Sequence, residues 1–259
     1  MLAALLTSLL LWQEPGPAPQ PPTPQSEAEK PVPQDKPVET PTPIEAWDDR
    51  TAKAAAAELT KVMKGKSSSM REKTQALEAV AKGSNKLLIK PLVKVVEEDK
   101  SLLVRQRAAA LLANQPEKDA NDALRKLLKN PRVGSYPVVQ AELIKALAKC
   151  GYDGKQWDSI ADLFEQEYAA ERVTLQEAIL DLVAQHKEKQ ALPMLLRNFD
   201  EPSPKNVHDG SNPPAEYWEA RWKAWASWRA KVKDTVFAVT GQRFTSATEA
   251  GEWLKKNPL

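Results

Sequence analysis

The chain has 259 residues, which is long enough to bury a core without disulfides or a structural metal. Charged residues make up 28% of it and nearly cancel, leaving a formal net charge of +2. This argues against a dedicated nucleic-acid binder, for which a strong basic excess is expected. The one cysteine, Cys150, allows no intrachain disulfide, and we expect it to end a helix beside Gly151 as a small apolar side chain.

The composition predicts an all-α protein. Glycine is scarce, whereas Ala, Leu, Lys and Glu are abundant, and runs of β-branched residues at period two are absent. The two histidines, His186 and His208, lie in different contexts, and no Cys or His spacing supports a metal site. We therefore expect neither a metal nor another cofactor.

Residues 1–13 form an apolar N-terminal segment. The run is shorter than the about 20 residues that cross a bilayer, and it suits the apolar region of a secretory signal, although no Lys or Arg precedes it. We expect export to the periplasm or cell envelope. If the run is instead an apolar tail with no targeting role, the protein stays in the cytoplasm.

Residues 14–42 are rich in proline and polar side chains. Such a segment cannot bury enough apolar surface to fold, and proline biases it towards an extended chain of roughly 3 Å per residue. The favoured interpretation is a spacer ahead of the folded domain. A docking ligand for a proline-binding module is the alternative.

The predicted helical array spans residues 43–200. A capping-box pattern at Thr42 to Glu45, with Pro43 at the first helical position, predicts a helix that runs to about Lys64. A second capping box, Ser69 to Glu72, opens the next helix.

Four helical pairs follow, and the stretch from Asp99 to Ala113 shows the pattern best. Val104, Ala108, Leu111 and Leu112 share one face, and Arg105 and Arg107 are predicted to point away. Helix-ending alanines recur every 32 to 36 positions, at Ala81, Ala113, Ala148 and Ala184. The inner faces predicted for the third and fourth pairs are Val139, Leu143, Ile144, Leu147 and Ala148 with Trp157, Ile160, Leu163 and Phe164, then Leu175, Ala178, Ile179, Leu182 and Val183 with Leu192, Leu195, Leu196 and Phe199. A fixed period of this size is typical of stacked helical repeats.

The stretch from about Ser69 to Asp200 resembles HEAT repeats. Asp99, then Val104-Arg105, Ala108-Ala109 and Leu112, is similar to the junction between two such repeats, and Lys90 to Val93 and Leu192 to Leu195 carry a Pro-x-Leu pattern similar to that of the preceding helix. The junction pattern is degenerate, since Val139 is followed by Gln140. The resemblance implies a right-handed superhelix of antiparallel helix pairs, of a kind used mostly as a binding scaffold.

Residues 201–214 interrupt the array and are predicted to form a surface loop, because they hold four prolines and an Asp-Gly step. His208 and Asp209 are adjacent there. Adjacent side chains rarely point the same way and no nucleophile is marked, so we do not predict a catalytic pair.

Residues 215–259 begin with a long helix, from about Ala215 to Val239. Trp218, Trp222 and Trp225 are spaced i, i+4 and i+7, and Arg221 and Arg229 each lie four residues from Trp225. Trp228, Val232, Val236 and Val239 continue the stripe. The favoured interpretation is a cap on the last repeat, because the end of an array exposes an apolar face. The alternatives are a recognition surface, since Trp and Arg are enriched at binding hot spots, and a membrane-surface helix.

The end of the chain predicts a second cap helix. Gly241 stops the long helix, and a capping box from Ser246 to Glu249 opens a helix that holds Trp253, which we expect to fold back with Phe244. Thr240-Gly241-Gln242-x-Phe244 followed by this helix is similar to the C-terminal ends of exported bacterial HEAT-repeat proteins of unassigned function.

These observations predict a monomeric, non-catalytic protein-interaction scaffold. Its candidate partner-binding residues are Trp218, Arg221, Trp222, Trp225 and Arg229. One alternative is a binder of anionic polymers or membrane surfaces through the same residues. The other is an enzyme on a HEAT-like scaffold, such as a DNA glycosylase, against which export and charge balance argue.

Overall fold

The structure is a computed structural model and describes residues 43–65, 67–204, 206 and 208–258. The expectations for the apolar N-terminal segment and the proline-rich spacer, and for Thr42, lie outside the described residues. The described part is helical, with 73% helix and almost no strand, so the all-α prediction is confirmed.

Twelve α-helices occur in the part of the chain that the structure describes. They are α1 (Asp49–Lys64), α2 (Met70–Ala81), α3 (Ile89–Glu98), α4 (Leu102–Leu112), α5 (Glu117–Leu128), α6 (Pro131–Gly134), α7 (Pro137–Lys149), α8 (Trp157–Glu165), α9 (Val173–His186), α10 (Leu192–Arg197), α11 (Ala215–Thr240) and α12 (Ala247–Lys256). Single 3-10 turns lead into four of them, at Lys86–Leu88, Gly154–Gln156, Ala170–Arg172 and Lys189–Ala191.

The first helix begins later than predicted. Its N-cap is Asp48, whose carboxylate accepts the backbone N–H of Thr51 at 2.8 Å, so α1 starts at Asp49 rather than at Pro43. Aspartate is among the residues most favoured at a helix N-cap. The residues before Asp48 are extended instead of helical. They form the two-residue strand β1 (Glu45–Ala46), which pairs in parallel with β2 (Gly83–Ser84) in the register Glu45 to Gly83.

Glycine is needed at position 83 because an aromatic ring lies against it. A Cβ at Gly83 would come within 2.0 Å of the Trp47 indole. The parallel pair therefore fastens the start of the folded part to the turn after α2. The sequence did not predict this contact.

The helices form two layers. The first layer runs α2, α4, α7, α9 and α11; α4 contacts both α2 and α7, and α9 contacts both α7 and α11. The second layer contains α1, α3, α5, α8 and α10, and each of these packs on the first-layer helix that follows it: α1 on α2, α3 on α4, α5 on α7, α8 on α9 and α10 on α11. Helix α12 contacts α10.

The first-layer helices in the middle of the stack are buried on more than one side. The predicted inner faces of α7 and α9 are all buried: Val139, Leu143, Ile144, Leu147, Ala148, Leu175, Ala178, Ile179, Leu182 and Val183. Gln140 and Gln176, on other faces of the same two helices, are buried as well. Helices buried this widely need partners on both sides. Helices α4 and α9 flank α7, and α7 and α11 flank α9.

Side chains at or just after the ends of successive first-layer helices bond to carbonyls at or just after the end of the first-layer helix before. Gln115 donates to the carbonyl of Gly83 at 3.3 Å, the Cys150 thiol to that of Ala113 at 3.6 Å, and a ring nitrogen of His186 lies 2.9 Å from the carbonyl of Ala148. Burial raises the pKa of the Cys150 thiol, which is consistent with a neutral donor. The three bonds join residues 32, 37 and 38 positions apart in the chain.

Arg105 does not point away from the stack, which corrects the prediction made from the helical face. It is 4% exposed, and its guanidinium donates to the carbonyls of Val96 and Arg132. Arg172 makes the matching bond to the carbonyl of Leu163, again nine residues earlier in the chain. A long side chain next to the buried position can reach the carbonyl end of the preceding helix and satisfy it.

Candidate functional site

Helix α11 carries all five predicted site residues, and its two ends are clear. Pro214 precedes it in an extended conformation, and Gly241 ends it in the left-handed region at φ 74°. It spans 26 residues, and no helix among the described residues combines the length and apolarity that crossing a membrane requires. We divide it into an outer segment (residues 217–225) and an inner segment (residues 228–239).

The inner segment is part of the core. Trp228 is 1% exposed, packs on the ring of Phe164 at 5.4 Å and donates its indole N–H to the side-chain oxygen of Gln176 at 3.0 Å. The amide of Gln176 donates in turn to the carbonyl of Phe164 at 3.1 Å. An ion pair from Lys231 to Asp181 of α9, at 2.8 Å, adds an exposed link between the two helices.

The outer segment builds a cluster of aromatic rings around an arginine. Tyr217 meets Tyr168 and Trp218 edge-on, with ring centroids 6.0 Å and 5.4 Å apart. The Arg221 guanidinium lies 5.3 Å from the centre of the Tyr168 ring and 5.8 Å from that of Trp218. Burial raises the pKa of Tyr168, which keeps its phenol neutral beside this cation.

A second arginine supports the cluster from α10. Arg197 binds both carboxylate oxygens of Glu165 at 3.0 Å and 2.6 Å, and this hydrogen bonding raises the pKa of Arg197. Its carbonyl accepts a long bond of 3.4 Å from Arg221. The ends of α8, α10 and α11 are thereby joined through polar contacts next to the aromatic rings.

Trp222 and Arg229 lie apart from this cluster. The Trp222 side chain is 44% exposed, and its indole N–H donates to Glu201 of the loop at 2.7 Å. Arg229 packs over the ring of Trp225 at 5.2 Å, and Trp225 itself is 7% exposed. The structure thus brings Trp218 and Arg221 together, pairs Trp225 with Arg229, and places Trp222 on the surface.

Three N–H donors of the outer segment are buried without a hydrogen-bond acceptor among the described residues. They are the indole N–H groups of Trp218 and Trp225 and the Nε of Arg221. A buried donor left unpaired costs about 1–3 kcal/mol, and such groups are uncommon in folded proteins. Their concentration in one segment separates it from the inner segment, where Trp228 is paired.

A groove of about 410 Å³ runs beside the outer segment. One wall holds Tyr168, Ala170 and Val173, and the other holds Glu219 and Lys223 of α11. Sequence patterns did not identify Tyr168 or the Glu165–Arg197 pair, because these residues precede α11 in the chain and no local pattern marks them. Tyr217 could have been suspected from its place next to Trp218.

Asp209, in the segment 201–214, forms hydrogen bonds within its own turn. Asp209 accepts the backbone N–H of Ser211 at 2.9 Å and its hydroxyl at 2.7 Å, and the backbone bond lowers the pKa of Asp209. This is the geometry of a turn, and the carboxylate is held by Ser211. Among the described residues, no group of three or more His, Cys, Asp or Glu side chains could hold a metal ion.

A comparison with the profiles of known protein families gave no match. A search of the curated proteins found no similar sequence either.

Proposed function

We propose that the chain is an exported, non-catalytic scaffold of the HEAT-repeat type that holds a protein partner through the outer segment of α11. The observation that carries the proposal is the contrast within that segment: Trp222 and Tyr217 are 44% and 36% exposed, beside buried donors that lack acceptors. Trp, Tyr and Arg are the side chains most enriched at binding hot spots. The exposed rings of Trp222 and Tyr217 offer the contact area for such a partner.

The arrangement of the helices supports the HEAT-type part of the proposal. Each second-layer helix packs on the next first-layer helix, and side chains at the ends of three successive first-layer helices bond to carbonyls at the end of the one before. The resemblance to HEAT repeats implies that such pairs stack as a right-handed superhelix. The buried Arg105 and Arg172, each bonded to a carbonyl nine residues earlier, add a second repeating element.

The charges on α11 favour a protein over an anionic polymer or a membrane surface. Lys223 pairs with Glu219 at 2.6 Å, and Lys231 pairs with Asp181 at 2.8 Å. Arg221 and Arg229 are held over aromatic rings. The acidic partners cancel the charge of Lys223 and Lys231 at long range, so these two lysines contribute little to the attraction of a polyanion.

Capture of partners by the full chain tests the proposal. We expect the substitutions Trp222→Ala and Arg221→Ala to weaken capture of a partner from envelope extracts by at least about tenfold, because hot-spot truncation costs about 2 kcal/mol or more. Phe237→Ala is the matched control, since Phe237 is an exposed aromatic (39%) on the inner segment of the same helix. Equal capture by all three variants would contradict the proposal.

Two further measurements separate the alternatives. Retention on heparin or anionic vesicles that disappears with added salt would favour the anionic-surface hypothesis over a protein partner. The N-terminal sequence of the mature protein tests export: we expect the apolar segment 1–13 to be missing. An intact N-terminus on protein recovered from the cytoplasm would contradict it.

A further inference from the structure

Trp222 differs from the other aromatic residues of α11 in what lies against its ring. Arginine guanidinium groups lie 5.8 Å, 5.2 Å and 4.5 Å from the ring centres of Trp218, Trp225 and Phe237. Tyr217 and Trp228 contact other aromatic rings. Among the described residues, neither a cation nor an aromatic ring lies against Trp222, which is 44% exposed. This ring is therefore open to a group from another molecule.

A carboxylate lies at the edge of the Trp222 ring. The indole N–H of Trp222 donates to one oxygen of Glu201 at 2.7 Å, which fixes the carboxylate beside the ring. Glu201 is exposed, and it forms no ion pair with a described residue. The pair thus presents an aromatic face and a negative charge next to each other.

The cations next to Trp222 in the chain are directed to other groups. Lys223 pairs with Glu219 at 2.6 Å, and Arg221 lies over the Trp218 ring. A positive group from another molecule would therefore meet the Glu201 carboxylate without displacing an ion pair between described residues. Because an indole face and a carboxylate both attract a cation, the two groups favour the same kind of ligand.

We propose that Trp222 and Glu201 together bind an arginine side chain of the protein partner. This inference rests on the proposed function, since it names the group that the partner presents. A planar guanidinium stacks on the indole face and at the same time donates to the Glu201 carboxylate. A lysine ammonium is compact and strongly hydrated and cannot stack in this way, so it fits the pair less well.

The indole N–H signals of the isotope-labelled full chain test the assignment by nuclear magnetic resonance. The probe is N-acetylarginine amide, and N-acetylcitrulline amide is its matched control, because it has nearly the same shape without the charge. At constant ionic strength, the arginine amide is expected to shift the Trp222 signal saturably in the millimolar range, and the citrulline amide is not. A Trp222→Phe variant, which lacks this signal, identifies it.

A charge-removing variant tests the part of Glu201. Glu201→Gln keeps an oxygen that can accept the Trp222 N–H, and it is expected to bind the arginine amide about threefold more weakly, because an exposed ion pair is lost. Glu216→Gln is the matched control. It removes the same charge from an exposed residue of α11 that lines the groove beside Tyr168, and its affinity is expected to equal that of the unchanged chain.

Three results would overturn the assignment. The first is that the arginine amide does not shift the Trp222 signal. The second is that the citrulline amide shifts it as much as the arginine amide does. The third is that Glu201→Gln binds the arginine amide as tightly as Glu216→Gln.

Capture of partners from envelope extracts separates this inference from the proposed function. If Trp222→Ala lowers capture and Glu201→Gln leaves it unchanged, the proposed function stands and the arginine assignment is wrong. If Trp222→Ala and Arg221→Ala capture as well as the unchanged chain while the arginine amide still shifts the Trp222 signal, the proposed function is wrong and the pair remains a site for arginine.

Discussion

The two segments of α11 belong to one continuous helix yet differ in how they are packed. In the inner segment, Trp228 is enclosed by α9 and its N–H is paired with Gln176. In the outer segment, Trp222 is exposed, and Trp218 and Trp225 are buried with unpaired N–H groups. The indole N–H of the inner segment is thus paired within the chain, whereas two indole N–H groups of the outer segment are buried without an acceptor among the described residues.

This difference shows that a tryptophan stripe can combine a structural cap with an exposed surface. At about 100° per residue, Trp222 lies about 120° around the helix from Trp228. One ring therefore faces the stack while the other faces solvent. The same residue type at two points of one helix is expected to have different consequences when it is replaced.

The largest expected effect is the stability difference between two alanine substitutions. Trp228→Ala is expected to cost about 3–5 kcal/mol of unfolding free energy, or roughly 10 °C in Tm, because it empties a buried site and leaves Gln176 unpaired. Trp222→Ala is expected to change stability by less than about 0.5–1 kcal/mol, because the ring is exposed. Urea unfolding of both variants measures the difference. Equal losses of unfolding free energy in the two variants would mean that the outer segment contributes as much to the stability of the fold as the inner one.

A subtler pair replaces tryptophan by phenylalanine, which keeps an aromatic ring and removes the N–H. Trp228→Phe is expected to lose about 1–3 kcal/mol, because the Gln176 oxygen is left buried without a donor. Trp218→Phe removes a donor that has no acceptor among the described residues, so its expected effect is near zero or slightly stabilising. Thermal and urea unfolding give both values. A cost for Trp218→Phe as large as that for Trp228→Phe would show that the Trp218 N–H is paired.

The smallest expected effect concerns the helix caps at the two ends of the stack. Glu72 in α2 accepts the backbone N–H of Ser69, and Glu249 in α12 accepts the hydroxyl and N–H of Thr245; these bonds lower both pKa values below the ordinary 4.5. Because the folded-state pKa is the lower one, the caps stabilise the fold fully above pH 4.5, and this stability is lost as the pH falls through the folded-state values.

Replacement of Glu72 by Gln tests this dependence. The unchanged chain is expected to lose more stability than Glu72→Gln between about pH 6 and pH 3, as followed by urea unfolding. Glu58→Gln on α1 is the control, since Glu58 is exposed and makes no cap. A pH profile for Glu72→Gln that matches the unchanged chain would contradict the role given to this carboxylate.

Local patterns predicted most of the helices, because spacing and caps act within one element. Ser69 and Glu72 form the predicted capping box, Gly241 ends α11, and the inner faces of α7 and α9 are buried as expected. Ser246 caps α12, although Glu249 bonds back to Thr245 instead of closing the box.

The contacts that sequence patterns did not predict join segments that lie far apart in the chain. Arg105 is buried where it reaches carbonyls of two other segments, and the first strand pairs with β2 at Gly83, which lies against the Trp47 ring. The candidate site divides in the same way. Helical spacing identified Trp218 and Arg221. Tyr168 contacts Arg221 only because α11 packs next to the segment that follows α8.

Hydrogen exchange along α11 tests the central distinction most directly. Mass spectrometry of the full chain is expected to show protection of the inner segment close to that of α9, with which it shares the core, and faster exchange in the outer segment. Uniform protection from residue 217 to residue 239 would contradict the distinction between the two segments. Fast exchange throughout would instead show that α11 does not close the stack.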